Sequence, residues 1–196
     1  MYEYIKGNLA KLTPSYAVVD CMGVGYKIEI SLNTYSALKD KTEILLHTYF
    51  IVREDAQILY GFSEEREREL FTELISVSGI GANTARMMLS SLSVDELVRA
   101  IVQEDVKVIK AIKGIGTKTA ERVVVDLKDK LRKWEYSSEQ AESPIAIDNK
   151  NREEALLALQ TLGFNKVIVE KTLDKILKDN TQMTVETLIK EALKRL

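Results

Sequence analysis

The chain repeats one short motif at a constant spacing. Residues 75–85, ISVSGIGANTA, recur as residues 110–120, KAIKGIGTKTA. The two glycines, the isoleucine between them and a later alanine align, and Gly114 follows Gly79 by 35 positions. A repeat of this length indicates one supersecondary unit that is used twice. The unit predicted here is a helix, a Gly-x-Gly turn and a second helix.

Each turn predicts an anion-binding surface made of backbone. A Gly-x-Gly sequence before a helix exposes several N–H groups, and the helix dipole adds positive potential, so a phosphate can bind there. We expect Ile80 and Ile115 to point inward and tie the two helices of each unit together. This is the pattern of a helix-hairpin-helix, which holds a nucleic-acid backbone without reading bases. A single Gly-x-Gly is more often an ordinary glycine cap, but two copies in register favour DNA binding.

Local charge supports this interpretation, although the whole chain is slightly acidic, with 28 Lys+Arg and 30 Asp+Glu. Residues 107–133 contain nine basic and three acidic residues, a local balance of +6. A basic stripe is the electrostatic footprint of phosphate binding, although part of it is also expected on the solvated face of a helix. The candidate DNA-binding residues are Gly79, Gly81, Asn83, Arg86, Gly114, Gly116, Thr117, Lys118, Thr119 and Arg122.

Composition excludes several other classes of protein. The chain has one cysteine, Cys21, and one histidine, His47, so the usual zinc and cysteine-protease sites are not expected. No apolar run approaches the roughly 20 residues of a membrane span, and no signal peptide is evident, so we expect a cytoplasmic protein. The chain also lacks the Gly-x-x-x-x-Gly-Lys-Ser/Thr loop that binds ATP. We therefore predict a non-catalytic protein with no cofactor and no metal.

The periodicity predicts an α+β multidomain chain. Five short strand-like runs with a helix near residues 33–38 indicate an OB-like β-barrel, and the later helical patterns indicate two all-α domains. The predicted boundaries are residues 1–62 for the barrel, 63–133 for a tandem helix-hairpin-helix domain, 134–149 for a flexible linker, and 150–196 for a three-helix bundle of the ubiquitin-associated type.

Finer features of these domains are also predicted. Ser63 and Ser93 are expected to cap the helices that follow them. The last barrel hairpin carries Glu54 and Asp55 at its tip; such a pair is usually a solvated turn, but beside a phosphate-binding domain it can repel DNA strands. An apolar stripe on the last helix of the second domain is expected to be core or subunit contact: Val123, Val124, Leu127 and Leu131.

Three stretches of the chain resemble the RuvA family, the Holliday-junction-binding subunits of the bacterial branch-migration machine. Residues 52–62, VREDAQILYGF, are very like the family's barrel-ending signature. Residues 114–122, GIGTKTAER, are similar to its GIGKKTAER, and residues 186–193, ETLIKEAL, match its last helix. The resemblance covers the whole chain.

The resemblance implies a homotetramer, with an octamer left open, that holds a four-way junction open for recombination and for repair in the SOS response. It implies that Glu54 and Asp55 form a central acidic pin. It also implies that the C-terminal domain binds the hexameric ATPase RuvB, and it makes the RuvC-type resolvase a further partner. The implied partner-binding residues are Leu159, Leu162 and Phe164, which are otherwise expected in a core.

Two positions depart from the family pattern. Thr117 stands where many members carry lysine, and Ala82-Asn83 replaces a Pro-Lys of some members. Phosphate binding at the first turn would then rest more on backbone amides.

Two other classes of function were weighed. A nuclease or glycosylase that uses helix-hairpin-helix turns needs metal-binding carboxylates, or a catalytic lysine or aspartate, close to the turn, and no such cluster is evident. A scaffold protein with purely structural turns fits poorly with two matching turns and the local charge of +6.

Overall fold

The computed structural model describes residues 2–139, 144–179 and 183–196. These residues form two compact units, Met1–Arg132 and Lys133–Leu196.

The first unit begins with a closed barrel in the strand order β1-β2-β3-β5-β4, which confirms the OB-like prediction. Neighbouring strands are antiparallel except for the parallel pair β3–β5, and α1 connects β3 to β4. The elements are β1 (Tyr4–Leu12), β2 (Tyr16–Cys21), β3 (Val24–Ile30), α1 (Leu32–Leu38), β4 (Glu43–Val52) and β5 (Gln57–Phe62). Inward-facing side chains fill the barrel because successive residues of a strand alternate between its faces. They include Ile5, Ala17, Val19, Ile28, Ile30, Ile44 and Leu46.

Five helices follow the barrel, and the last of them continues past the end of the first unit: α2 (Glu65–Ser76), α3 (Ala82–Ser91), α4 (Val94–Val102), α5 (Val106–Ala111) and α6 (Thr117–Glu139). Ser93 caps α4 as predicted, and Glu96 completes a capping box. The prediction for Ser63 was wrong: Glu64 is the residue that precedes α2, and it makes no side-chain cap, so Ser63 lies one position too early. The predicted apolar stripe of α6 is buried in the described structure.

Two contacts fix α2 on the barrel. The Phe71 ring packs against Tyr60 (5.1 Å between centroids) and Phe62 (4.9 Å). Beside it, the carboxylate of Glu67 is buried and accepts hydrogen bonds from the hydroxyls of Ser31 and Thr34, which begin α1. Burial raises the pKa of Glu67, against the lowering effect of those two hydrogen bonds. The helical part of this unit is thus held to the barrel by both apolar and polar contacts.

The second unit contains α7 (Pro144–Thr161), α8 (Lys166–Asp179) and α9 (Val185–Leu193), as a three-helix bundle should. Gly163 ends α7 in the left-handed region (φ 95°), where its N–H and that of Phe164 bond back to the carbonyls of Gln160 and Leu159. This double bond pattern is a Schellman C-cap. The core consists of Ala155, Leu159, Val169, Leu173, Ile176, Leu188 and Ala192.

The segment predicted as a linker, residues 134–149, is helical at both ends, because α6 extends to Glu139 and α7 begins at Pro144. Residues 140–143 lie outside the described residues. The flexibility of this segment stays a prediction.

Candidate nucleic-acid interface

The two Gly-x-Gly turns have the same hydrogen bonds. In the first turn the Ile80 N–H donates to the Val77 carbonyl (3.0 Å), and in the second the Ile115 N–H donates to that of Ile112 (3.2 Å). The bonds that end the preceding helix and begin the next one also recur 35 positions later. The repeat seen in the sequence is therefore a repeat of backbone structure.

Each turn requires its first glycine. Gly79 and Gly114 have φ of 95° and 87°, in the left-handed region that other residues avoid. Ile80 and Ile115 are 5% and 6% exposed, which confirms that they point inward. The turn therefore presents backbone on its outer side and an apolar anchor on its inner side.

The N–H groups that follow each turn have no partner in the described structure. At the first turn these include the N–H groups of residues 81–83, and at the second turn those of residues 116–118. They lie at the positive ends of α3 and α6, where an anion is stabilised by both hydrogen bonds and the helix dipole. Nothing lies within 4 Å of the Cβ position of any of the four turn glycines, so an anion has open access.

Side-chain charge concentrates at the second turn. Among the described residues, Lys107, Lys110, Lys113 and Lys118 are exposed and have no ion pair. Farther along α6, Lys128 pairs with Glu104, whose pKa is lowered by that hydrogen bond and the nearby positive charge.

The rest of the predicted basic stripe is partly neutralised. Lys130 pairs with Glu73 (2.8 Å), and Arg122 lies 3.7 Å from Asp126 on its own helix. Thr117 is exposed and Thr119 half-buried in the first turn of α6. The predicted stripe is thus mainly a lysine cluster around the second turn.

The first turn differs because its polar side chains contact the barrel. Arg86 was predicted to bind DNA, but its guanidinium donates to Glu29 Oε2 (2.7 Å) and to the Ser15 carbonyl (2.9 Å), and its side chain is 24% exposed. Asn83 is exposed and accepts a hydrogen bond from the Tyr60 hydroxyl (3.4 Å). The first turn therefore offers backbone amides, while Arg86 holds α3 on the barrel.

The acidic pair lies at the tip of the hairpin between β4 and β5. The Arg53 N–H donates to the Ala56 carbonyl (2.8 Å), which leaves Glu54 and Asp55 exposed between them. Neither carboxylate has an ion pair in the described part of the chain. The hairpin tip is therefore a compact, unneutralised negative charge.

A further group of charges escaped the sequence analysis. The ammonium groups of Lys11 and Lys27 both lie over the ring of Tyr16, 5.5 Å and 4.9 Å from its centroid. These residues come from three neighbouring strands, so only the strand register brings them together. The sequence pattern held no signal for this group.

The three predicted partner-binding residues have different environments. Leu159 is fully buried in the core of the second unit, so its side chain offers no surface to a partner. Leu162 and Phe164 are 62% and 37% exposed at the end of α7. Val167 and Ile168, at the start of α8, are each 56% exposed and extend this apolar surface.

Neither a metal-binding cluster nor a membrane-spanning helix is found within the described ranges. These residues contain no group of three or more metal-ligating side chains. No helix among them has the length and apolar character to cross a bilayer.

The fold and these turns define a class of protein: an OB-like barrel joined to a tandem helix-hairpin-helix, with a small helical bundle after it. Three family models match in the same order: the RuvA N-terminal domain over residues 1–61, the SAM-like helix-hairpin-helix tandem over 71–129, and the RuvA C-terminal domain over 150–196. The chain belongs to the RuvA family.

Curated relatives match from end to end. The chain is 49% identical over 196 residues to a protein of Christiangramia forsetii and 50% identical over 201 residues to one of Bacteroides fragilis, with all of both chains covered in each case. A protein of Cytophaga hutchinsonii is 48% identical over 197 residues, with 99% of each chain covered. Each of these relatives is named Holliday junction branch migration complex subunit RuvA.

Proposed function

We propose that this chain binds four-way (Holliday) DNA junctions without sequence preference, as a homotetramer, and holds them open for branch migration. The observation that carries the proposal is the pair of matching turns, each with unpartnered N–H groups at a helix N-terminus. The names of the relatives supply the kind of DNA. In this role the chain is a non-catalytic subunit in the cytoplasm, and ATP hydrolysis belongs to a partner.

The turns suit a protein along which DNA must move. Backbone amides and the lysines near the second turn recognise phosphates, which are the same for every base sequence. Contacts to base edges would hold the junction at one position and oppose migration. The two turns of a protomer would contact one duplex backbone at two places. In this proposal Lys118 and the amides of residues 116–118 bind most strongly, because four unpaired lysines surround that turn.

The acidic hairpin would act at the crossover point. Four copies around a central axis would bring four Glu54–Asp55 pairs together, and their charge repels phosphates at the centre. Strands would then separate at the crossover and re-pair in the neighbouring arm. The pair thus contributes to selectivity for an open junction rather than to affinity.

An exposed aromatic surface beside this hairpin supports self-association. Tyr2 is 46% exposed, and its ring packs edge-on against Phe50 (5.4 Å between centroids). Val52, which leads into the acidic hairpin, is 64% exposed. Contiguous apolar surface of this kind is typical of an interface. Its position on the strand that carries the pin would place copies of the barrel around the pin.

The C-terminal unit would recruit a hexameric ATPase of the RuvB type. The apolar surface formed by Leu162, Phe164, Val167 and Ile168 is the proposed contact, and Leu159 acts only by supporting it from the core. A RuvC-type resolvase is proposed as a second partner on the strength of the family resemblance alone.

A gel-shift titration tests the proposal. A synthetic four-way junction and a duplex of equal length are compared at about 50 mM and about 200 mM salt, the range over which phosphate contacts weaken steeply. We expect tight, salt-sensitive binding with a clear preference for the junction. Equal affinity for both DNAs would reduce the protein to a general helix-hairpin-helix binder, and no binding would refute the proposal.

A further inference from the structure

We propose that the barrel carries a second DNA-backbone site, formed by Lys11, Tyr16 and Lys27 on its outer face. This barrel cation cluster lies outside both Gly-x-Gly turns. The inference rests on the proposed function for the identity of the polyanion, but its position and charge come from the barrel itself.

The cluster is built across three strands. Tyr16 begins β2, and its ring lies between residues of β1 and β3 whose ammonium groups both approach it, at 5.5 Å for Lys11 and 4.9 Å for Lys27. A ring face attracts a cation, so Tyr16 holds the two lysines near one point on the surface. Both lysines are exposed, so their remaining N–H donors can bind an anion from solvent.

Neighbouring charges leave the cluster positive. Lys27 also contacts Glu29 (3.1 Å), but the other oxygen of that carboxylate binds Arg86 (2.7 Å). Two cations, Lys27 and Arg86, therefore share one carboxylate, while Lys11 has no ion pair among the described residues. β2 contributes one acidic residue, Asp20, which lies four residues from Tyr16, about 13 Å along the strand. The Asp20 carboxylate accepts a hydrogen bond from the Gly23 N–H. The net charge near Tyr16 is +2, which favours an anionic ligand.

Strand register places this charge beside the first turn. Tyr16 is paired with Glu29, and Glu29 with Tyr60, so the three residues form one row across β2, β3 and β5. Two strand spacings separate Tyr16 from Tyr60, which is about 10 Å. The Tyr60 hydroxyl in turn contacts Asn83, in the part of α3 where the unpartnered N–H groups lie.

The barrel cation cluster supplies the exposed basic side chains that the first turn lacks. Arg86 is engaged with Glu29 and Ser15, so among the described residues 71–91 no basic side chain is left unpaired at that turn. About 10 Å corresponds to about three nucleotides along one DNA strand. In this proposal a DNA backbone bound at the first turn continues across the barrel to Lys11 and Lys27, which give that turn the cations that the lysines give the second turn.

The test uses three single variants and the intact chain. Lys11→Ala and Lys27→Ala each remove one cluster cation, and both positions are exposed, so folding is preserved to within about 0.5 kcal/mol. Lys39→Ala is the matched control, because the Lys39 ammonium also lies over a tyrosine ring, that of Tyr35 in α1 (5.1 Å), and Lys39 follows α1 outside the cluster. Dissociation constants for a four-way junction are measured between about 50 and 200 mM salt.

We expect each cluster variant to lower the slope of log K against log salt by about 0.9 for each phosphate that the variant no longer neutralises. For a variant that loses one phosphate contact, the ratio of wild-type to variant affinity is then about 3.5-fold greater at the low salt concentration than at the high one. Lys39→Ala should keep the wild-type slope. If the cluster variants keep that slope, or if the slope of the control falls as much as theirs, the barrel site is refuted.

Lys118→Ala, measured alongside, separates the two claims. A reduced slope in Lys118→Ala with unchanged cluster variants would overturn the barrel site and leave the proposed function standing. Absence of junction binding by the wild-type chain would overturn both.

Discussion

Replacing Gly114 with alanine perturbs the second turn at the point where its backbone is most constrained. Gly114 has φ of 87°, and an alanine held there costs about 1–2 kcal/mol because its Cβ approaches the backbone carbonyl. No atom lies within 4 Å of the added Cβ, so no further clash increases this cost. We therefore expect Gly114→Ala to lower the free energy of unfolding by about 1–2 kcal/mol.

Gly23→Ala is the matched control for this change. Gly23 has φ of 92° and the same open surroundings, but it lies in the turn between β2 and β3 of the barrel. The two substitutions should therefore cost similar stability, and urea denaturation measures that cost for each. Of these two glycines, only Gly114 lies in a turn that we propose to bind phosphate, so only its distortion should reduce junction affinity.

The expected loss of affinity follows from the hydrogen bonds. A bond to a charged group contributes about 1.5–3 kcal/mol, so misdirecting even one amide–phosphate bond weakens binding about tenfold or more. We expect at least this loss for Gly114→Ala in a junction titration, and less than a twofold change for Gly23→Ala. Equal losses in the two variants, or undiminished affinity in Gly114→Ala, would refute the role assigned to the turn.

Four other perturbations have defined outcomes. Glu54→Gln with Asp55→Asn should keep or tighten junction affinity and alter the rate of branch migration in a strand-exchange assay; an unchanged rate contradicts the pin. Glu67→Ala should lower the free energy of unfolding by about 2–5 kcal/mol in urea, because two buried hydroxyls lose their acceptor. Burial raises the pKa of Glu67, so its ionisation lowers stability as pH rises through that pKa; Glu67→Gln should flatten this fall above about pH 4.5, and an equal slope contradicts it. Leu162→Ala should weaken pull-down of a RuvB-type ATPase, whereas the similarly exposed control Leu193→Ala should not.

Much of this fold could be predicted from local patterns. The barrel strands alternate in the sequence as their side chains alternate in the structure, and the 35-residue repeat became two turns with the same hydrogen bonds. Ile80 and Ile115 could be assigned to the interior because each is the apolar residue between two glycines, and the only apolar surface near such a turn is that of the two helices it joins. These features depend on residues that are close together in the chain, so they can be read from the order of residues.

Some basic side chains that the sequence offered for phosphate binding have partners far away in the chain. Arg86 resembled a phosphate contact, but its partner Glu29 lies 57 residues earlier on a strand. Lys130 counted towards the basic stripe, yet it pairs with Glu73, also 57 residues away. Counting charges along a sequence overlooks such pairs.

The barrel cation cluster was missed for a related reason. Lys11, Tyr16 and Lys27 meet only because a bulge in β1 and the register of three strands bring them together. Neither feature can be read from the order of residues.

We propose that the protein recognises the shape of a junction through its phosphates and ignores base sequence. A competition experiment tests this most directly: a labelled four-way junction is bound, and an unlabelled junction of unrelated sequence or a duplex with the sequence of one arm pair is added. We expect the unrelated junction to displace the label as well as an identical junction does, while the duplex requires a much higher concentration. Displacement by the matching duplex at the same concentration, or failure of the unrelated junction to compete, would contradict it.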